Sequence, residues 1–259
     1  MRQYPQYSTH IPSLLCTILY SQGSTLRKLI HYRLVSRNTF LAPDEFYHLY
    51  NRGTDKREIF STNADRERFV ALLYLCNSIE PVRLDDIRKS QGSTLRNLLE
   101  IDQKETLIDI TAYCLMPNHF HLLVHEKTEG GASKFMQKLT TGYTMYFNKR
   151  HERNGSLFQG KFKATHVSDD RYLKYLLSYI HLNPVKFIDP LWKENGIRDR
   201  TGAAKYLHEY PYSSYRDYLG ENRAESKILN KKVLPDYFEN KRDFEIEIED
   251  WLSYKKGES

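Results

Sequence analysis

Two histidines one residue apart sit inside an apolar run, His119-Phe120-His121-Leu122-Leu123-Val124, directly after Pro117-Asn118. Successive side chains of a strand point to opposite faces, so this run commits the chain to a sheet with two unlike sides. His119 and His121 project from one side, while Phe120, Leu122 and Val124 line the other. Pro-Asn is turn chemistry, which makes the run the second arm of a hairpin whose first arm begins near Ile108. Two imidazoles held side by side on a strand suit a divalent metal, because the sheet presets the spacing of their nitrogens.

A second segment, Asp169 to Lys186 (DDRYLKYLLSYIHLNPVK), reads as a helix. Ser168 or Asp169 supplies the N-cap, and Pro184 pushes Asn183 away from helical angles and sets the stop. At about 3.6 residues per turn, Tyr172, Leu176, Tyr179 and Asn183 share one face, and Leu173, Leu177 and Ile180 the adjacent one. The second stripe is what a helix buries against a sheet. The first presents a phenol and, one turn on, a carboxamide. His181 is rotated about 200° from Tyr179 and is expected at the surface or facing phosphate. Cys114, within the first hairpin arm, reads as a small core residue, and His125 as an exposed strand end on the histidine side.

From Phe46 onward the pattern predicts a strand at 46–52, a helix at 63–79, a polar helical insertion at 82–104 and hairpin strands at 107–116 and 119–126. A helix at 131–150, an extended basic segment at 157–167 and the helix at 169–183 follow. The order β-α-β-β-α-β and then a helix predicts an α+β fold: a ferredoxin-like antiparallel sheet with helices on one face and the last helix on the other. Residues 1–43 carry no strong periodicity and read as an N-terminal extension. They include SQGSTLR at 21–27, which recurs at 90–96 and reads as a duplicated stretch of coding DNA. Residues 44–190 make the main domain. Residues 191–259 are Tyr-rich and then amphipathic, a helical appendage expected to pack on the core through Phe238, Phe244, Ile248 and Trp251.

A formal charge of +6 and a pI near 9.0 favour a polyanionic partner. Tyrosine, at 20 residues, is interleaved with Lys and Arg, a composition that can stack bases while holding phosphates. The basic and aromatic stretch Lys149, Arg150, Arg153, Phe158, Lys161 and Lys163 is the main candidate surface for nucleic acid, with Arg52 after the first strand a second. The three cysteines, Cys16, Cys76 and Cys114, lack CxxC spacing, which argues against a disulfide framework or a structural zinc and fits a reducing cytoplasm. No apolar run approaches the roughly 20 residues that span a bilayer, so the chain is expected to be soluble, with no membrane partner.

Taken together, these motifs resemble the single-tyrosine HUH transposases, in particular the REP-associated tyrosine transposases and their IS200-like relatives. The resemblance runs from Phe46 to Tyr218: FYHLYNRG (46–53), AYCLMPNHFH (112–121), FNKR (147–150), GSLFQG (155–160), YIHLNPVK (179–186) and YSSY (212–215), in order. It implies that His119 and His121 hold Mg2+ or Mn2+, and that Tyr179 is the nucleophile, delivered by the helix on the histidine side. Several IS200-like members carry glutamine four residues after the tyrosine as a third metal ligand; Asn183 stands there in this chain. The implied activity is cleavage and rejoining of single-stranded DNA bearing a hairpin, through a 5′-phosphotyrosine intermediate. IS200-like relatives work as dimers that exchange the tyrosine helix, whereas REP-associated ones act alone, so a homodimer stays open. Two rival readings are a domesticated hairpin-binding protein without cleavage and a metal phosphodiesterase that uses water in place of Tyr179.

Overall fold

The alternating strands read from the sequence form in a computed structural model, which describes residues 41–80, 94–237 and 240–253. Strands β1 (Phe46–Arg52), β2 (Ile108–Met116), β3 (His119–Glu126) and β4 (Lys163–His166) build one antiparallel sheet in the order β2-β3-β1-β4. The helices of this unit are α1 (Asn63–Leu75), α2 (Leu95–Leu99), α3 (Gly131–Arg150) and α4 (Asp170–Leu182). The chain is α+β, with the strand order of a ferredoxin-like β-α-β-β-α-β unit. Residues 1–40 of the expected extension, with the first SQGSTLR copy, lie outside the described residues. So do residues 81–93, which carry much of the polar insertion and most of the second copy, and Phe238.

Each boundary has a local cause. Thr62 and Asp65 form a reciprocal capping box at the start of α1. That helix stops four residues short of the expected 79, because the Asn77 amide pairs in both directions with the backbone of Ile108 at 3.0 and 3.1 Å. Asn77 thus acts as a short extension of the sheet. Helix α3 begins at Gly131, where a Cβ would sit 2.4 Å from the Leu107 carbonyl oxygen. Its first turn is capped by Glu126, a fully buried carboxylate that accepts from the Ala132 amide at 2.9 Å. Burial raises the Glu126 pKa, while the amides of Ala132, Gly131 and Gly130 pull it back down. Asp169 caps α4 by accepting from Tyr172 N at 2.9 Å.

The sheet has two unlike faces, as its period requires. On one, Leu49, Tyr113, Leu115, Phe120, Leu122 and Val124 pack under Phe69 and Leu73 of α1 and Phe135, Leu139 and Tyr143 of α3. Side chains of this size contribute about 1.5–3 kcal/mol each when fully buried. On the other face, Ala112, Cys114 and Leu123 meet Leu173, Leu177 and Ile180 of α4. A bulge between Ile110 and Ala112 shifts the β2 register, so the inward residues change from even to odd numbers along the strand. The Thr111 carbonyl at the bulge accepts from the Tyr218 hydroxyl at 2.9 Å.

Beyond α4 the chain continues as a 3-10 turn over Asn183–Phe187 and then as α5 (Trp192–Asn195), α6 (Arg200–Glu209), α7 (Tyr215–Tyr218) and α8 (Lys241–Ser253). These elements extend the second core through Leu207, Tyr218, Phe244, Ile248 and Leu252. Among the described residues, no helix is long and apolar enough to cross a membrane.

Candidate active site

Strand β3 presents His119 and His121 on the α4 side of the sheet, their rings 5.0 Å apart between centroids and perpendicular. Pairing with β1 sets Arg52 opposite His119, Tyr50 opposite His121 and His48 opposite Leu123. A third imidazole therefore joins the pair: His48 Nε2 and His121 Nδ1 are 2.8 Å apart. His119 Nδ1 lies 2.6 Å from Asn118 Oδ1, and Asn118 Nδ2 donates to the Lys56 carbonyl at 3.0 Å. That second bond orients the amide, so His119 donates from Nδ1, and in the neutral ring Nε2 then carries the electron pair.

Helix α4 crosses this face with Leu173, Leu177 and Ile180 turned down onto the sheet, and that rotation sets the Tyr179 ring edge-on against the histidines. Its centroid is 5.8 Å from that of His121 and 6.4 Å from that of His48, with interplanar angles of 79° and 78°. Burial raises the Tyr179 pKa, against the lowering influence of Lys186 and of the Asn183 side chain. Asn183 is buried, and its Nδ2 donates to the Tyr179 carbonyl at 2.8 Å. The amide nitrogen being committed to that bond, the carboxamide oxygen is the donor atom Asn183 can offer an ion.

The other tyrosines on these helices take different places. Tyr175 stacks on Tyr179 at 6.0 Å, and Tyr172 stacks on Tyr175 at 6.1 Å, forming a ladder along α4. Tyr143 is buried under the opposite face, where its hydroxyl donates to the Ile59 carbonyl, and Tyr146 donates to the Ala64 carbonyl in the same layer. Tyr50 is a half-buried neighbour of the site, its ring stacked on His48 at 4.9 Å with Lys163 Nζ 6.0 Å from its centroid.

The donor set suits one divalent ion. Two imidazoles share a face, and both rings engage neighbours through Nδ1. Among the described residues, no group of three or more His, Cys, Asp or Glu side chains is arranged to hold a metal. The third protein ligand that the resemblance implies would be the Asn183 carboxamide oxygen.

Four sequence expectations need correction. His181 is fully buried; it points into the C-terminal segment, with Nε2 2.7 Å from Ser214 Oγ and the Phe244 and Tyr218 rings around it. Its rotation away from Tyr179 was read correctly, but the elements that cover that side were not foreseen. Phe158 is also buried, packed against Phe120 and Tyr143, so its ring is not offered to a base. Lys149 and Arg150 end α3 and Arg153 follows it, in the layer opposite the histidines. Arg150 lies 3.6 Å from the buried Asp65, and Arg153 lies over the Phe147 ring. Arg52 and Lys163 stand on the histidine face through their pairing with His119 and Tyr50, and Lys161 is exposed just before β4. His125 is partly buried, not the exposed strand end expected, and lies 3.3 Å from Asp109. Cys114 is core, as read.

The signal that could have found His48 was present: in FYHLYNR, a period of two puts His48, Tyr50 and Arg52 on one side. What the sequence lacked was the β1–β3 register that carries this side to the histidines.

Known proteins were compared with the chain. The family model described as "Transposase IS200 like" matches residues 47–183, just over half of the chain. A protein of Haemophilus influenzae described as a REP-associated tyrosine transposase is 28% identical over 154 residues, covering 53% of this chain and 79% of the relative. A solved structure of a REP-associated tyrosine transposase bound to a REP hairpin aligns with a TM-score of 0.40 at 13% identity, over 73% of this chain and 88% of its own.

Proposed function

This chain belongs to the IS200-like transposase family, and from that premise we propose that it cleaves and rejoins single-stranded DNA through a covalent tyrosine intermediate. The observation that carries the reading is the seat of Tyr179, whose ring lies against His121 on the face where β3 presents both histidines. All three side chains come from one chain.

In this reading Tyr179 Oη bonds to the scissile phosphorus and the bond from phosphorus to the 3′ oxygen breaks. The phenol proton passes to solvent, and the departing 3′ oxygen takes up a proton to become a hydroxyl. The resulting 5′-phosphotyrosine conserves the bond energy, so an incoming 3′-OH can displace Tyr179 and join new ends without ATP. Mg2+ or Mn2+ held by His119 and His121, with the Asn183 carboxamide as third ligand, would polarise the phosphate where negative charge builds. Paired imidazoles favour manganese, since magnesium prefers an all-oxygen shell. A half-buried phenol resists ionisation, and the charge of Lys186 together with the Asn183 side chain counters only part of that resistance.

Helix α4 positions the nucleophile rigidly, because three of its apolar side chains are locked into the second core. Arg52 and Lys163 flank the histidines and are placed to hold phosphates, with the Tyr50 ring between strands as a surface for an unpaired base. The substrate class is single-stranded DNA carrying a hairpin, as the family resemblance implies.

The test is incubation of end-labelled, hairpin-bearing single-stranded DNA with the protein and Mn2+, followed by denaturing electrophoresis. A retarded covalent adduct is expected, absent from Tyr179→Phe and from His119→Ala. Cleavage that persists in Tyr179→Phe would transfer the assignment to a nuclease that uses water.

A further inference from the structure

His48 falls within the first motif, FYHLYNRG, without a role assigned to it, yet it lies against His121 in the site. It lies on β1, two residues before Tyr50, and the β1–β3 register carries it to the side of His121. The two rings stack with centroids 5.0 Å apart and planes at 24°. His48 and His121 are 8% and 7% exposed, so bulk water competes poorly for the 2.8 Å bond between their nitrogens.

We infer that His48 is a positioning residue for the metal site: it accepts a hydrogen bond from His121 Nδ1 and so holds His121 with Nε2 unprotonated. This rests on the metal-holding role proposed above for His121. A hydrogen bond between two neutral imidazoles has one donor, and its direction decides what the other ring nitrogen can do. If His121 donates from Nδ1, its Nε2 carries an electron pair and can ligate an ion. If His48 donates instead, His121 carries its proton on Nε2 and cannot.

The neighbouring histidine shows the same arrangement built from other parts. His119, beside the turn, engages Asn118 Oδ1 at 2.6 Å, and the Lys56 carbonyl orients that amide. His121 lies within the strand, out of reach of the turn, and the sheet supplies a side chain from the next strand. Outer partners of this kind fix the tautomer and orientation of ligating imidazoles. His48 is itself wedged between the Tyr50 ring at 4.9 Å and the edge of Tyr179 at 6.4 Å, so its own orientation is constrained.

The experiment uses the full chain labelled with 15N-histidine, without metal and at mildly alkaline pH, observed by long-range proton–nitrogen NMR. His121 is assigned by loss of its signals in His121→Gln. The wild type is expected to show His121 protonated on Nδ1. His48→Phe, which keeps a stacked ring but removes the acceptor, should shift His121 toward the Nε2-protonated form. His48→Gln, whose amide oxygen can replace the lost acceptor, should restore the wild-type signature. In parallel, calorimetry with Mn2+ should show affinity falling by roughly 10–100-fold in His48→Phe and recovering to within about threefold in His48→Gln.

A wild-type His121 protonated on Nε2, or a tautomer unaffected by His48→Phe, overturns the inference. A tautomer that responds as expected in a protein that takes up no Mn2+ upholds the role of His48 and defeats the metal reading on which the proposed function stands. The two failures are therefore distinguishable.

Discussion

His121 and Tyr179 meet edge to face, 5.8 Å between centroids, at the line where the sheet touches α4. Two independent structures fix this contact. The pleat of β3 aims the imidazole, and burial of Leu173, Leu177 and Ile180 sets the rotation of the helix that carries the phenol. A contact of this type stabilises by about 0.5–1.5 kcal/mol beyond the area it buries. The ring of Tyr179 thus has a structural part to play, separable from its hydroxyl.

That separation gives the first prediction. Tyr179→Phe keeps the ring and removes the hydroxyl proposed as nucleophile. Its thermal midpoint and Mn2+ affinity should match the wild type, while the covalent DNA adduct on a denaturing gel disappears. A variant that forms adduct at the normal rate would show that another residue attacks.

How far the site could be read in advance depended on which forces are local. The period of two placed His119 and His121 opposite Phe120, and helical phase put Tyr179 on one face with Asn183; both patterns repeat within a few residues. The bounds of β1, β2, β3, α3 and α4 were legible to within a residue for the same reason. Helix α1, by contrast, ends four residues early, and β4 fills only part of its expected segment. His48 was not, because only the pairing of β1 with β3, some seventy positions apart, brings it to His121. Phe158 follows Gly155-Ser156-Leu157 in a segment without period, so nothing local showed that its ring turns inward. His181 was misread because its cover comes from Ser214, Tyr218 and Phe244, all more than thirty residues away.

The proposed metal site makes a graded prediction. His119→Ala should weaken Mn2+ binding by more than the roughly 10–100-fold typical of losing an outer partner. Asn183→Ala should cost less, because it removes a neutral amide and spares both imidazoles. Titration calorimetry on the folded variants ranks them. Equal affinities for Asn183→Ala and the wild type would remove Asn183 from the ligand set and leave its bond to the Tyr179 carbonyl as its whole role.

The placement of charge separates two groups of basic residues. Arg52→Ala and Lys163→Ala should each weaken binding of single-stranded DNA and lower the salt slope by about 0.7 per lost phosphate contact. Lys149→Ala, on the other layer of the sheet, should leave both quantities near wild type. Fluorescence anisotropy across a salt series makes the comparison. A loss for Lys149→Ala as large as for Lys163→Ala would mean that the strand wraps onto the α3 side.

His181 makes stability depend on pH, and the sign follows from its burial. Burial, with Lys231 nearby, lowers its pKa from 6.5 to about 3, while the Leu177 carbonyl pulls the other way. The folded state therefore keeps His181 neutral where the unfolded chain protonates it. The stability at stake is fully present above the unfolded pKa of 6.5 and is lost as pH falls toward 3. By about pH 5 the loss from this group alone is about 2 kcal/mol. Gln at this position cannot titrate and can still bond to Ser214 Oγ, so His181→Gln removes this dependence without removing the contact. Urea unfolding at about pH 7.5 and about pH 5 should show the wild type losing about 2 kcal/mol more than the variant. Equal losses in the two proteins would mean that His181 takes up its proton in the folded state, through an opening of the packing between α4 and the C-terminal helices.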